Sequence, residues 1–317
     1  MKPLRVAVVG AGHLGQHHAR LYASMSGCRL VAVVDRDPVR AQEVAARHGA
    51  PALSSAAGLE ADVDAVSVAV PTEAHADVAL PFLRAGVAVL VEKPIASTLE
   101  QAGLLIDAAS RHGAMLAVGH TERFNPAVEA LAARASRPRF IEAHRLGSFA
   151  PRSLDIDVVA DLMIHDIDIA LSLVGAPVRS VEAVGVNALT PKVDIANARV
   201  VFATGCVANL TASRISAVKT RKIRVFSTSS YLSCDCAERS LEHYRLEPSS
   251  TGGSPSIVRE SPTVPDDEPL RRELERFVEA VRGGTAYPVP GESGRAALEV
   301  ALQIAVRIRD AAAASGP

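Results

Sequence analysis

Residues 160–171 read ADLMIHDIDIAL, one histidine and three carboxylates in an otherwise apolar run. A histidine, with an ordinary pKa near neutrality, can take up or release a proton at working pH, and a neighbouring carboxylate can orient it or a bound molecule. Read as a helix over 160–173, each residue advances about 100°, so counting from Asp161 His165 lies near ~40°, Asp168 near ~340° and Ser172 near ~20°. These four make a narrow polar stripe. Leucine, isoleucine and methionine cover the remaining directions, with Asp166 the one polar exception. A helix apolar on nearly every side is a buried one, so the stripe faces internal partners or a ligand cavity. Asp161 and His165, at i and i+4, have Cβ atoms about 5–6 Å apart and reach one region of a bound molecule. The DIDIA run also alternates as a strand would, but apolar character does not alternate across 162–164, which favours the helix. Taken alone, His165 also suits a core histidine bonded to Asp161.

Lys93 is the next residue whose type needs an explanation. It follows the apolar run VAVLVE (87–92) and precedes Pro94. A lysine at the end of a buried strand needs a partner or a ligand for its charge, either a salt bridge to Glu92 or a bound molecule. Gly10-Ala11-Gly12-His13-Leu14-Gly15 closes another apolar run and opens a helical pattern, the context that a dinucleotide fingerprint requires. Gly10 permits the tight turn, Gly12 lets backbone approach a pyrophosphate, and Gly15 lets helix and strand pack closely. The helix start, with His13 and Leu14, adds unpaired N–H groups and partial positive charge. Asp35 lies 35 − 15 = 20 positions after Gly15 at the end of the next strand, where an acid accepts from the ribose hydroxyls. It would repel a 2′-phosphate, so NAD is expected before NADP, a preference that Arg36 moderates. Pro71, Thr72 and His75, after the third strand, should border the cofactor, though His75 also suits a capping or core role.

The elements that must position these groups are legible as repeated strand–helix units. RVAVV (5–9), LVAVVD (30–35), DAVSVAV (64–70), VAVLVE (87–92) and MLAVG (115–119) are continuous apolar runs, as strands covered on both faces should be. Helical patterns lie near 13–25, 38–48, 73–85 and 98–112, with Asp37-Pro38 and Ser97 as plausible starts. Such repeats predict a doubly wound α/β sheet. At 317 residues the chain suits two domains. The expected division is 1–120 for dinucleotide binding and 121–317 for substrate binding and oligomerisation, with the last helix (about 293–313) at the junction.

A formal net charge of −1 offers no global field for nucleic acid or an anionic membrane, so neither is an expected partner. Four cysteines form neither a Cys-x-x-Cys pair nor a disulfide framework, and reduced thiols are expected. The amino-terminal apolar run is too short for a signal peptide and no stretch approaches a membrane helix, which together indicate a cytoplasmic protein.

Taken together, GAGHLG, Asp35, PTEAH, VEKPIA, GHTERFNP and HDID resemble the Gfo/Idh/MocA family, with motifs in family order along nearly the whole chain. The resemblance implies an NAD(P)-binding Rossmann domain and a C-terminal α+β domain built on an open, mostly antiparallel sheet. Members commonly dimerise or tetramerise through that sheet, so a homodimer or homotetramer is expected. It also implies that Lys93 and the Asp161/His165 pair are catalytic, that Glu92, Lys93 and Pro94 border the cofactor, and that Arg123 lies near the substrate. FAPRSLDIDVVADLMIHDIDIAL (149–171) and GCVANLTASRISAVKTRKIRVF (205–226) are most similar to the members that oxidise carbon 3 of UDP-N-acetylglucosamine for amide-linked lipid A. The expected chemistry is removal of a hydroxyl proton as hydride leaves for the nicotinamide. His165 suits the base, Lys93 can steady the developing alkoxide, and Asp161 orients; whether Lys93 or His165 takes the proton stays open.

SRISAVKTRKIR (213–224) holds Arg214, Lys219, Arg221, Lys222 and Arg224. A diphosphate sugar needs such groups, and a solvated strand face or a subunit contact would use them equally well. Arg152, Asp168 and Arg214, with Arg123, are the candidate substrate residues. A metal at His165, Asp161 and Asp168 would lack further evident ligands, so none is expected. Shorter alternating runs at 139–146 and 178–237 fit the antiparallel sheet. Residues 247–267 read as a long mobile loop. A helix near 268–282 follows, then a last helix whose Leu298, Ala301, Leu302, Ala305 and Ile308 make an apolar face. Two alternatives remain: an inositol or free-sugar dehydrogenase, and a non-catalytic dinucleotide sensor, which would have no use for Lys93, Asp161 and His165 together.

Overall fold

All five amino-terminal apolar runs become strands covered on both faces, as their lack of in/out alternation requires. In the computed structural model, which describes residues 2–149, 156–247 and 254–314, they belong to a six-stranded parallel sheet. Its strands are β1 (Leu4–Val9), β2 (Cys28–Val34), β3 (Ala52–Leu53), β4 (Ala65–Val68), β5 (Ala88–Glu92) and β6 (Leu116–Gly119), in the order β3-β2-β1-β4-β5-β6. The order reverses between β1 and β4, which opens a crevice at their carboxyl ends, where open α/β sheets bind ligands. The crossovers are α1 (Gly15–Ser24), α2 (Pro38–Arg47), α3 (His75–Arg84) and α4 (Leu99–His112). Asp37 caps α2 by accepting from Val39 and Arg40 N–H, with Pro38 in the first turn. Thr98, one residue past the expected Ser97, caps α4 by accepting from Gln101 N–H. The two-residue β3 is too short to leave a pattern in the sequence.

A second sheet of eight strands comprises β7 (Phe140–Leu146), β8 (Val178–Val186), β9 (Ile195–Phe202), β10 (Val207–Ser213), β11 (Thr220–Phe226), β12 (Ser230–Asp235), β13 (Ser240–Glu247) and β14 (Ser256–Glu260). Their order is β14-β13-β12-β11-β7-β10-β9-β8. All pairings are antiparallel except β7 with β10. The expected loop at 247–267 is therefore corrected in part, because β14 pairs with β13 there; residues 248–253 lie outside the described residues. An edge strand such as Ser256–Glu260, polar and mostly exposed, has no buried face to announce it.

Two helices, α5 (Pro126–Ala132) and α6 (Ile164–Val174), cover one face of this second sheet. Ile141 and Ala143 of β7 point into that packing, and so does Arg145, a charge on a buried face. It is satisfied: its Nη2 and Nε donate to the two Asp166 oxygens at 2.8 and 3.0 Å, and its Nη1 to Glu122 at 3.0 Å. A buried charge persists only with such partners.

The chain ends with α7 (Pro269–Gly283) and α8 (Gly291–Ala314). Residues 1–121 and 268–298 form one unit, and 122–267 with 299–317 the other. The expected single second domain, 121–317, thus differs from the structure in its tail. Residues 268–298 return to the first sheet, where Val118 N–H donates to the Val289 carbonyl at 3.0 Å and the Thr121 hydroxyl to Glu273 at 2.8 Å. Within α8 the buried line runs through Ala301, Ile304 and Ile308, whereas Leu302, expected on it, is exposed. Cys234 of β12 and Cys236 just beyond it are buried with sulfurs 3.9 Å apart, both as free thiols.

Burial alone would raise the Glu122 pKa, but Arg145 and Arg221 outweigh it and hold the carboxyl below the ordinary glutamate value. The unfolded chain therefore takes up this proton first, at about pH 4.3. The stabilisation is complete above that value and is lost as pH falls through the lower folded one. Melting the wild type and Glu122→Gln between neutral and acid pH should show the wild type losing more stability below about pH 4.5; parallel curves would contradict it.

Candidate active site

In the first unit the glycine motif has three different steric reasons. Gly10 has φ +97°, and a Cβ there would lie 2.5 Å from the Ala69 carbonyl oxygen. A Cβ on Gly15 would lie 1.7 Å from the Gly10 oxygen, so the start of α1 closes directly on the loop. A Cβ on Gly12 would meet nothing within 4 Å, which leaves open space beside the backbone. The first turn of α1 has no acidic residue and no side-chain cap, so its positive end stays available to an anion. His13 and Leu14 are exposed beside it.

Asp35 stands just beyond β2, its carboxylate accepting from Ala11 N–H at 2.8 Å and from Asp37 N–H at 2.9 Å. The acid is thereby fixed against the glycine loop. Arg40, from the first turn of α2, lies 3.6 Å from it. Sequence reading named the exposed Arg36 and missed Arg40, which reaches Asp35 only because α2 folds it back.

Past β4, Pro71 is exposed and Thr72 half-buried. His75 is not at the surface. It opens α3 almost fully buried, its ring nitrogens each 2.9 Å from a carbonyl oxygen, Nδ1 from Pro94 and Nε2 from Val70. It therefore serves backbone behind the expected cofactor edge rather than a ligand directly.

Glu92 closes β5, buried, with Oε1 3.0 Å from His18 Nε2 and Oε2 accepting from Lys93 N–H at 3.3 Å. Burial pushes its pKa up, but the His18 hydrogen bond and the nearby Lys93 and His75 pull it down further, so the carboxyl stays ionised. Gly119 leaves room for it, since a Cβ there would come within 3.0 Å of the carboxyl carbon. Lys93 itself is half-buried, and its bond to the buried Pro94 is cis. Glu92 is thus engaged with His18, and sequence reading missed that histidine. Its only signal was a polar residue three positions after Gly15, where α1 turns inward.

In the second unit the opening motif is helical, with one difference. Asp157 accepts from Val159 and Ala160 N–H at 3.0 and 2.9 Å, and the first turn, Val159–Met163, is π-helical before α6 begins. A turn closed i→i+5 advances less per residue than an α-helix, which brings His165 from about 40° towards direct alignment with Asp161. Both are half-buried. The stripe does not continue as expected: Ser172 is exposed, while Asp168 is buried and 3.4 Å from Arg123. Asp166, on the other side, holds Arg145. Asp168 and Arg123, both expected at the substrate, thus form a pair with each other.

Arg214, a candidate substrate residue, follows β10 directly. It is buried, donating to the Ile156 carbonyl at 2.6 Å and lying 3.9 Å from Asp194. Asp194 in turn gathers the N–H groups of Ala188, Leu189 and Thr190. Val158 N–H donates to the Val193 carbonyl, so this loop and Arg214 together hold the entry to the π turn. The other basic residues do not converge either: Arg221 turns to Glu122, whereas Lys222 and Arg224 pair with Asp235 and Glu142 on the opposite sheet face. Alternation along β11 separates them. Arg152 lies outside the described residues.

Comparison with known proteins agrees with this architecture. Residues 4–120 match the Gfo/Idh/MocA oxidoreductase family, NAD-binding Rossmann fold, and residues 128–233 match the Gfo/Idh/MocA C-terminal domain. The chain is similar to UDP-N-acetylglucosamine 3-dehydrogenase of Acidithiobacillus ferrooxidans, 41% identical over 306 residues covering 96% of this chain and 97% of that one. The solved structure of that enzyme superposes with a TM-score of 0.91 at 40% identity, over 98% of this chain and 99% of that one. It is also similar to scyllo-inositol 2-dehydrogenase (NAD(+)) of Bacillus subtilis, 28% identical over 94% of this chain and 92% of that one.

The two inner glycines should separate stability from binding. Gly15→Ala forces backbone apart and should cost about 1–3 kcal/mol in urea unfolding. Gly12→Ala should leave stability within about 0.5 kcal/mol while weakening NADH binding, read by nicotinamide fluorescence. Equal losses in both assays would contradict the steric assignment.

Proposed function

The chain belongs to the Gfo/Idh/MocA family of NAD-binding oxidoreductases, and from that membership we propose that it oxidises the carbon-3 hydroxyl of UDP-N-acetylglucosamine to the 3-keto UDP-sugar. The observation that carries this reading is likeness over 96% of the chain to an enzyme named for that reaction, in a chain with Lys93 just past β5, Asp161 on the π turn and His165 at the start of α6. The residues present suit a dinucleotide: Gly12 opens onto space, α1 presents a positive end with no acidic residue in its first turn, and Asp35, held against the glycine loop, would accept from the ribose hydroxyls. When bound, NAD accepts the hydride from the carbinol carbon. His165 takes the hydroxyl proton as base, and Asp161, aligned with it through the π turn, orients the imidazole or the hydroxyl. Lys93 is the proposed group that steadies the developing negative charge, an interaction strongest where water is excluded. Asp35 disfavours a 2′-phosphate, which makes NAD the proposed dinucleotide, with Arg36 and Arg40 softening the discrimination.

The same proposal includes a cytoplasmic homodimer or homotetramer. All four cysteines are free thiols, as a reducing compartment keeps them. Among the described residues no helix is long and apolar enough to cross a membrane. The face of the second sheet turned away from α5 and α6 carries an aromatic row, Phe140, Phe226, Tyr231 and Tyr244, with adjacent ring centroids 4.8–5.7 Å apart and Arg259 over the last. Aromatic and arginine side chains supply interface anchors, and this face suits a second copy. A monomer in analytical ultracentrifugation would contradict the oligomer.

Incubation with NAD and a panel of UDP-sugars, free sugars and inositols, with a coupled aminotransferase to drain the keto product, should yield NADH with UDP-N-acetylglucosamine. NADH formed only from inositol or a free sugar would favour the activity of the Bacillus subtilis relative instead. His165→Asn should reduce turnover by about 10²–10⁴-fold with NADH affinity nearly unchanged. Undiminished turnover would remove His165 from the mechanism.

A further inference from the structure

His75 makes two contacts that a neutral imidazole cannot both satisfy. Its Nδ1 lies 2.9 Å from the Pro94 carbonyl oxygen and its Nε2 2.9 Å from the Val70 carbonyl oxygen. A carbonyl oxygen only accepts, while a neutral imidazole has one N–H and one lone pair. One of the two contacts would then set lone pair against lone pair. The imidazolium, with two N–H groups, satisfies both.

The two carbonyls belong to the ends of different strands. Val70 follows β4 and leads into Pro71 and Thr72; Pro94 follows Lys93 at the end of β5. These are neighbouring strands at the carboxyl edge, where an open α/β sheet receives its ligand. We infer that His75 is a protonation-dependent positioning residue, which ties the Val70 loop to the Lys93–Pro94 turn only when its ring carries both protons. This inference rests on the proposed use of that edge for NAD. When the proton leaves, one tie becomes repulsive and the two segments are held by a single hydrogen bond. Segments already tied lose less freedom when a ligand docks, so cofactor affinity rises with protonation.

The surroundings suit a group that titrates. Burial pushes the His75 pKa below the ordinary histidine value, while the two carbonyls and the charge of Glu92 push back. Glu92 is the carboxylate at the adjoining strand end, itself bonded to His18 from α1, and Lys93 follows it. β4 contributes no charged residue, and Glu100, Asp107, Arg111 and His112 of α4 are exposed. On its own helix and the preceding turn, Glu73, Asp77 and Arg84 are exposed as well. Glu92 is therefore the buried countercharge. By linkage, NADH binding should raise the His75 pKa, with net proton uptake below neutrality.

Two readouts on the full-length protein test this, and neither needs a sugar substrate. Long-range proton–nitrogen NMR of histidine-labelled protein, with His75 assigned through His75→Gln, should show both ring nitrogens protonated at acid pH and one at alkaline pH. The NADH dissociation constant should rise about tenfold across that titration, as loss of one charge-assisted hydrogen bond implies. His75→Gln, which keeps one donor nitrogen and does not titrate, should bind NADH with an affinity insensitive to pH over this range. A neutral His75 tautomer throughout, or a variant retaining the wild-type pH dependence, would overturn the inference. Failure of the sugar panel alone leaves both readouts standing, whereas absent NADH binding would remove the dinucleotide premise itself.

Discussion

A carboxylate buried at the end of a strand covered on both faces needs partners for its charge, and Glu92 has them. That carboxylate is nearly inaccessible, yet it stays ionised because His18 lies 3.0 Å from one oxygen and the Lys93 N–H from the other. The arrangement joins two functions in one contact. His18 comes from α1, the helix that the glycine motif opens, so the dinucleotide platform and the lysine-bearing turn are braced against each other. His75 braces the same turn from α3. A buried charge is expensive to leave unpaired, so these partners stabilise one backbone path for residues 92–94.

The second unit resolves an analogous problem by dividing the carboxylates of ADLMIHDIDIAL between tasks. Asp166 and Asp168 are buried against Arg145 and Arg123, and through them α6 is attached to the sheet and to the segment preceding α5. Removing one partner of such a pair typically costs about 3–5 kcal/mol. Asp161 and His165 remain half-buried on the π turn and the first turn of α6. Structural ion pairs thus hold the helix while the remaining acid and imidazole stand one turn apart. Asp194 and Arg214 extend the same bracing to the helix entry.

Much of this was legible from residue order, and the misses share a cause. Parallel strands read as unbroken apolar runs, and three glycines with a strand-end acid mark a dinucleotide loop, because each signal is local. Polar side chains on buried positions are not local signals. Arg145 and Asp166 are 21 positions apart, and Glu92 and His18 are 74 apart. The burial of Arg214 beside Asp194, and the pairing of Asp168 with Arg123, were therefore not legible from residue order. The π turn escaped because i→i+4 and i→i+5 bonding share nearly the same apolar pattern. Leu302 was misplaced because the buried line of α8 follows Ala301, Ile304 and Ile308. Residues 268–298 look like an ordinary continuation of the second domain, and only pairing with β6 reveals where they belong.

Hydride departure from one defined carbon is the central claim, and isotopic labelling tests it most directly. With UDP-N-acetylglucosamine carrying deuterium at carbon 3, NAD and a draining aminotransferase, the account predicts deuterium on the nicotinamide ring of the NADH formed. NADH without deuterium, or none from this sugar while the dinucleotide still binds, would contradict it.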